Sequence, residues 1–144
     1  MSLMRTVEMV TPEKATELWP LLKPMLAAAC ESNEISKDEF EPEDVYLLVQ
    51  TGMAAMFVFY EDDVPACTVV FQFHMTGDKK GADIISMGGK NLMKFKALFW
   101  PSILQWLRAN GVQFVDAYAN ERIAQIYKSK FGFSKSCAHV RMSL

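Results

Sequence analysis

Residues 84–92, Ile-Ile-Ser-Met-Gly-Gly-Lys-Asn-Leu, join a β-like apolar run to two glycines and the start of a helical pattern. Strand, glycine turn and helix in that order can hold a phosphate, because the unpaired N–H groups and the dipole of a helix start both favour an anion. Gly88, Gly89 and the amides of Lys90 and Asn91 can form a nest for that anion, with Lys90 and Lys94 adding positive charge. A plain capped turn fits the same residues, the Asn91 side chain then taking the place of the anion at the helix start. Both readings stay open on sequence alone. His74 and His139 stand singly on strand-like runs, so neither joins a metal or nucleophile constellation. Cys30, Cys67 and Cys137 are far apart, odd in number and without a recognisable histidine partner. They read as packing residues in a reducing, cytoplasmic setting rather than as a disulfide framework.

The elements around this turn can be read from periodicity. Residues 4–10 alternate as a first strand. Thr11-Pro12-Glu13 supplies a hydroxyl N-cap, a proline at the first helical position and an acid near the positive end. The helix begun there buries Leu18, Leu22, Met25 and Ala29, and Pro20 and Pro24 are expected to bend or split it. A second, shorter helix in 36–53 turns Phe40, Val45, Leu48 and Val49 inward, with Gly52 near its end. Strands over 54–63 and 64–75 flank the acidic turn Glu61-Asp62-Asp63 as a hairpin. A turn over 76–82 leads to a third strand, 83–87. In the next helix Leu92, Phe95, Phe99, Ile103 and Trp106 recur at intervals of three and four, Pro101 is expected to kink it, and Asn110-Gly111 stops it. Strand 112–119, helix 120–132 and a closing strand complete the order β-α-α-β-β-β-α-β-α-β, a mixed α/β fold. A helical crossover makes the strands on either side of 92–109 parallel.

The bulk numbers set the outer limits. A chain of 144 residues, 51% apolar and 22% charged, fits a single domain with one sizeable core, taken as 4–144. Met1-Ser2-Leu3 reads as an added leader ahead of a native start at Met4. A net charge of −2 gives no global case for a nucleic-acid partner. No apolar run reaches the roughly 18–20 residues that span a bilayer, and no signal peptide opens the chain.

The element order, together with "SMGGKN" (86–91) and "NERIAQIYKSKFGF" (120–133), resembles the Gcn5-related N-acetyltransferase (GNAT) superfamily. That resemblance implies a single GNAT-like α/β domain in which the fourth strand and the helix after it splay from a neighbouring strand. Acetyl-CoA lies in the gap as co-substrate, its pantetheine on strand backbone and its pyrophosphate on helix-start amides. Here the resemblance assigns those contacts to Ser86, Met87, Gly88, Gly89, Lys90 and Asn91. The family loop usually reads Q/R-x-x-G-x-G/A. Aligned on Gly89, Ser86 stands in place of the Gln or Arg and Asn91 in place of the last small residue; aligned on Gly88, Ile85 and Lys90 do so. The second family pattern, N-x-x-A-x-x-x-Y-x-x-x-G-F, places Asn120 at the cofactor and makes Tyr127 the acid that protonates the CoA thiolate. Ile123 stands at its alanine position, and Tyr127 precedes Gly132 by five residues rather than four. An extra helical residue turns a side chain by about 100°, so Tyr127 can face the core instead. A base must also deprotonate the acceptor; a carboxylate on a central strand is usual, which points to Asp116, with Asp83 and Glu121 near it.

"GGKN…F…FWP…WLRANG" is similar in layout to small GNAT-like proteins of tailed bacteriophages. The leading function implied is acetyl transfer from acetyl-CoA to an amine, on a small molecule or a protein, by direct attack in a ternary complex. The alternative is a non-catalytic GNAT-fold virion or assembly protein that acts through protein contacts. An enzyme using another acyl-CoA is a third. The acceptor side is expected from residues 30–44 and the last hairpin, and an exposed edge on the last strand offers a homodimer contact.

Overall fold

Continuous apolar runs, buried on both sides, build the middle of one sheet, and helical spacing builds a cover for each of its faces. In a computed structural model, which describes residues 3–31, 41–117, 121–134, 142 and 144 (side chains at 30, 31 and 121–123 excepted), the elements keep the expected order through the last helix. They are β1 (Arg5–Met9), α1 (Pro12–Glu31), α2 (Pro42–Gln50), β2 (Ala54–Glu61), β3 (Val64–Thr76), β4 (Lys79–Gly89), α3 (Leu92–Ala109), β5 (Val112–Ala117) and α4 (Glu121–Phe131). The expected closing strand, with Cys137 and His139, falls almost wholly outside the described residues. The sheet order is β1-β2-β3-β4-β5. Neighbours are antiparallel except β4 and β5, which α3 connects by a crossover and which run parallel.

Tight turns set the registers. Asp62 and Asp63 take φ of 50° and 66°, the left-handed pair of a two-residue hairpin whose twist matches that of its strands. The Asp62 carboxylate accepts from the Met4 N–H at 2.9 Å, which ties the start of β1 to this corner. The turn expected over 76–82 shrinks to Gly77-Asp78, and Lys79–Ala82 belong to β4, paired with Phe73–Thr76. Their polar composition is overridden by the ladder, and Lys80 lays its ammonium 4.8 Å above the Phe73 ring.

The two faces carry separate cores. Phe57, Phe59, Cys67, Val69, Phe71, Ala82 and Ile84 meet Phe95, Trp100, Ile103 and Leu107 of α3 and Phe131 of α4. Met56, Val58, Tyr60 and Val70 meet Ala15, Leu22 and Leu26 of α1 and Val45 and Val49 of α2. Neither α1 nor α3 is broken at its prolines. Pro20, Pro24 and Pro101 all lie on the exposed faces of their helices, where water can satisfy the carbonyls that lose an N–H partner. No helix of the described residues is long and apolar enough to cross a membrane.

Glycine adopts the left-handed region without the steric cost that Asp63 bears. Asp63→Gly is therefore expected to raise stability by about 0.5–1 kcal/mol, read as a higher urea midpoint at unchanged slope. A lower midpoint contradicts the turn geometry.

Candidate active site

The site begins where β4 loses one of its partners. Against β3, β4 is paired from Thr76↔Lys79 to Cys67↔Gly89, with a register slip between Val70↔Ser86 and Phe71↔Ile84. Ile85 is the extra residue of a β-bulge, a feature that bends a strand and increases its twist. Against β5, β4 is paired only from Lys80↔Val112 to Ile84↔Ala117. The last described rung thus falls at the bulge, and Ile85–Gly89 run on with one edge unpaired among the described residues. Backbone groups on such an edge can pair with an extended ligand. Ser86 sits here, 5% exposed, its Oγ without a hydrogen-bond partner.

The unpaired stretch ends at the start of α3. Gly89 has φ +126°, and a Cβ there would collide with the Ala66 carbonyl and lie 2.5 Å from Cys67 Cα; only glycine lets β4 approach β3 so closely. The Lys90 N–H donates to the Ala66 carbonyl at 2.8 Å, so the nest expected from the Lys90 and Asn91 amides loses one of its two donors to the ladder. Asn91 precedes the helix at φ 59°, ψ 33° and makes no side-chain cap. Its Nδ2 donates instead to Glu61 Oε1 at 2.8 Å. The Asn91 carbonyl accepts from the Lys94 and Phe95 N–H groups at 3.0 and 3.2 Å. Leu92 and Met93 are left with backbone N–H groups that have no acceptor among the described residues, and Lys90 and Lys94 stand exposed beside them.

A second group lies on the α1–α2 face of the sheet. His74, Asp83 and Asp116 alternate with Phe73, Ala82, Ile84, Val115 and Ala117, which belong to the α3–α4 side. The three therefore point the other way, from β3, β4 and β5. His74 Nδ1 lies 3.0 Å from Asp83 Oδ2, with 29% and 24% of the two side chains exposed. The contact is short but off the line an aligned ring N–H would take, since Nδ1 has no hydrogen-bond partner that meets the angle. Burial raises the Asp83 carboxyl above the usual range, and the Asp116 charge pushes the same way while His74 pulls it back. Gly81 makes room for this set, since a Cβ there would sit 2.5 Å from His74 Nε2 and strike the Phe114 ring. His74 and Phe114 then meet at 5.5 Å.

Ligand atoms of His74, Asp83 and Asp116 all lie within 4.8 Å of one another, a nitrogen and two carboxylates that suit a cation, whether an ammonium or a metal ion with mixed N/O ligands. Reading His74 as isolated is thus corrected. A two-residue turn at Gly77-Asp78 puts His74 opposite Gly81 and diagonal to Asp83; a turn drawn over 76–82 hides that pairing.

Tyr127 belongs to the opposite layer. Its ring packs against Phe131 at 5.6 Å and Phe133 at 5.0 Å, next to the α3–α4 core. Burial pushes its phenol up to about 12, so it holds its proton at neutral pH. Burial likewise pushes the Cys67 thiol up to about 12, in keeping with a packing role. Asn120 lies outside the described residues, as do the Glu121 side chain and most of the expected acceptor segment 30–44.

Two measurements check this geometry. Gly89→Ala is expected to cost more than about 2 kcal/mol, because it adds a backbone collision to left-handed strain. Gly52→Ala, at φ +77° with nothing within 4 Å, should cost only about 1 kcal/mol. Equal losses by chemical denaturation contradict the close approach of β4 to Cys67. For Tyr127 the folded value lies above that of a free phenol, near 10. Its contribution is intact below about pH 10 and is lost as pH rises towards about 12. The wild-type melting temperature should fall in that window, and Tyr127→Phe should flatten the fall; identical profiles refute the assignment.

Compared with protein-family models and with curated proteins, the sequence matches none. Solved structures do match. An aminoglycoside acetyltransferase from an uncultured soil metagenomic sample superposes with a TM-score of 0.69 at 13% identity, covering 97% of this chain and 96% of that one. A ribosomal-protein-alanine N-acetyltransferase from Brucella melitensis biovar Abortus 2308 gives 0.66 at 9% identity, over 98% of each chain. A predicted acetyltransferase with acetyl-CoA from Clostridium acetobutylicum gives 0.64 at 10% identity, over 97% of this chain and 96% of that one. Likeness at these identities establishes architecture rather than activity, and the architecture of this chain is the GNAT-like acetyltransferase fold.

Proposed function

We propose that the protein is an N-acetyltransferase that moves an acetyl group from acetyl-CoA to an amine. The observation that carries this reading is the continuity of the β4 edge, Ile85–Gly89, unpaired among the described residues, with a helix start that no described side chain caps. An extended chain ending in phosphates matches both parts: strand backbone for the pantetheine amides, free N–H groups for the pyrophosphate. The acetyl-CoA in the Clostridium acetobutylicum neighbour supports that choice of co-substrate.

In this reading Ser86, Met87, Gly88 and Gly89 line the pantetheine arm. Leu92 and Met93 donate backbone N–H groups to the pyrophosphate, with Lys90 and Lys94 as counter-charges, and Asn91 turns the chain into the helix. Asp116, with Asp83 and His74, receives the cationic acceptor and takes the proton an ammonium must lose before it can attack. The free amine then bonds to the thioester carbonyl carbon, the C–S bond breaks, and the nitrogen releases its second proton to solvent to leave the amide. Tyr127 protonates the departing thiolate and is itself reprotonated from solvent. Proton acceptor and proton donor lie in different layers of the sheet, one on each side of β4 and β5.

Acetyl-CoA titrated calorimetrically into the purified protein tests the reading, with Lys94→Glu as the paired variant. An acid in the first turn suits the helix dipole, so the variant should melt at or above the wild-type temperature. The same charge repels a pyrophosphate, so affinity should fall about tenfold from a micromolar wild-type value. No heat and no thermal shift at millimolar acetyl-CoA overturns the proposal.

A further inference from the structure

We propose that Glu61 is a positioning residue for the cofactor site: by holding the Asn91 side chain, it keeps the first turn of α3 open to an anion. This rests on the acetyl-CoA reading above. Asparagine ahead of a helix normally turns its own oxygen onto the second or third N–H of the first turn, from an extended backbone conformation. Asn91 does neither. Its backbone is left-handed, at φ 59° and ψ 33°, and its side chain makes no cap. The Nδ2 group donates to Glu61 Oε1 at 2.8 Å, and Glu61 is itself held through Oε2 by Arg5 Nε at 3.2 Å. Both Arg5 Nε and Glu61 Oε2 are shielded from water and meet as an ion pair across the β1–β2 edge, without the alignment of a hydrogen bond.

The chain Arg5–Glu61–Asn91 therefore spans three elements and ends at the residue that would otherwise close the site. Left-handed backbone costs a non-glycine residue energy, and the bond to Glu61 offsets that cost. Without Glu61, Asn91 is free to return to an extended conformation and cap the Met93 N–H itself. It would then compete with the ligand for one of the two donors. Arg5 has a part in this as well, since an unneutralised carboxylate beside the site would repel a phosphate.

Calorimetric titration of acetyl-CoA, with inorganic pyrophosphate as a second probe, separates the possibilities. Glu61→Ala is expected to weaken both ligands roughly five- to tenfold, the scale of an N-cap preference. Glu61→Gln keeps an oxygen facing Asn91 Nδ2 and should hold affinity within about twofold of wild type. In Glu61→Ala/Asn91→Gly, glycine adopts the left-handed conformation unaided and has no side chain to compete, so affinity should return. That recovery distinguishes positioning from mere structural damage, which a second substitution would not repair; thermal melts confirm that each variant is folded at the assay temperature. Unchanged or tighter binding in Glu61→Ala, or a loss that Asn91→Gly does not restore, overturns the latch and leaves the cofactor site standing. A wild-type protein that binds neither probe overturns both.

Discussion

Strand β4 belongs to two ladders of unequal length, and the rest of the site depends on that inequality. Its antiparallel ladder with β3 reaches Gly89, whereas its described parallel ladder with β5 stops at Ile84. A bulge at Ile85 separates the two regimes, since an inserted residue bends its strand and re-aims the side chains beyond it. Before the bulge, β4 is an interior strand that places Asp83 between His74 and Asp116. Beyond it, among the described residues, the same strand is an edge held from one side only. A carboxylate paired with a histidine and a backbone able to bind an extended ligand are thus neighbours on one strand.

Packing fixes where that edge ends. Phe95, in the first turn of α3, is fully buried and stacks on Phe59 at 5.0 Å, and Phe99 continues the stack one turn later. Burial of a phenylalanine contributes about 1.5–3 kcal/mol, enough to pin a helix start that has no side-chain cap. Gly89 completes the anchorage by letting β4 lie against Cys67. The first turn of α3 is therefore positioned by hydrophobic contacts from behind and not by the hydrogen bonds its N–H groups could make in front. Those donors stay available because the helix does not need them for its own placement.

Electrostatics divides the site along the sheet. On the α1–α2 face, Asp83 and Asp116 are cross-strand neighbours in register, and His74 compensates only in part, so that face suits a cation. At the α3 start, Lys90, Lys94 and two N–H groups that are free among the described residues suit an anion. Tyr127, buried and protonated, lies in the α3–α4 layer. Opposite charge preferences thus sit on two parts of the same strand–helix unit.

By itself the sequence determined the order of elements through α4, the parallel pairing that a helical crossover dictates, the hairpin at Asp62-Asp63 and the glycine turn into α3. All of these rest on local rules: side-chain period, turn chemistry and chain connectivity. Tertiary structure decided the rest. Pro20, Pro24 and Pro101 leave their helices whole because packing turned them to solvent, a fact of orientation that a proline's own chemistry does not contain. His74, Asp83 and Asp116 come from three strands, and their meeting depends on two registers, one of them set by a turn shorter than composition suggested. Asn91 could have been cap or bystander from its local sequence. Glu61, thirty residues away in the chain, drew it out of the cap by accepting from its Nδ2 group. A residue's propensity is a local quantity, whereas the partner that overrides it is chosen by the fold.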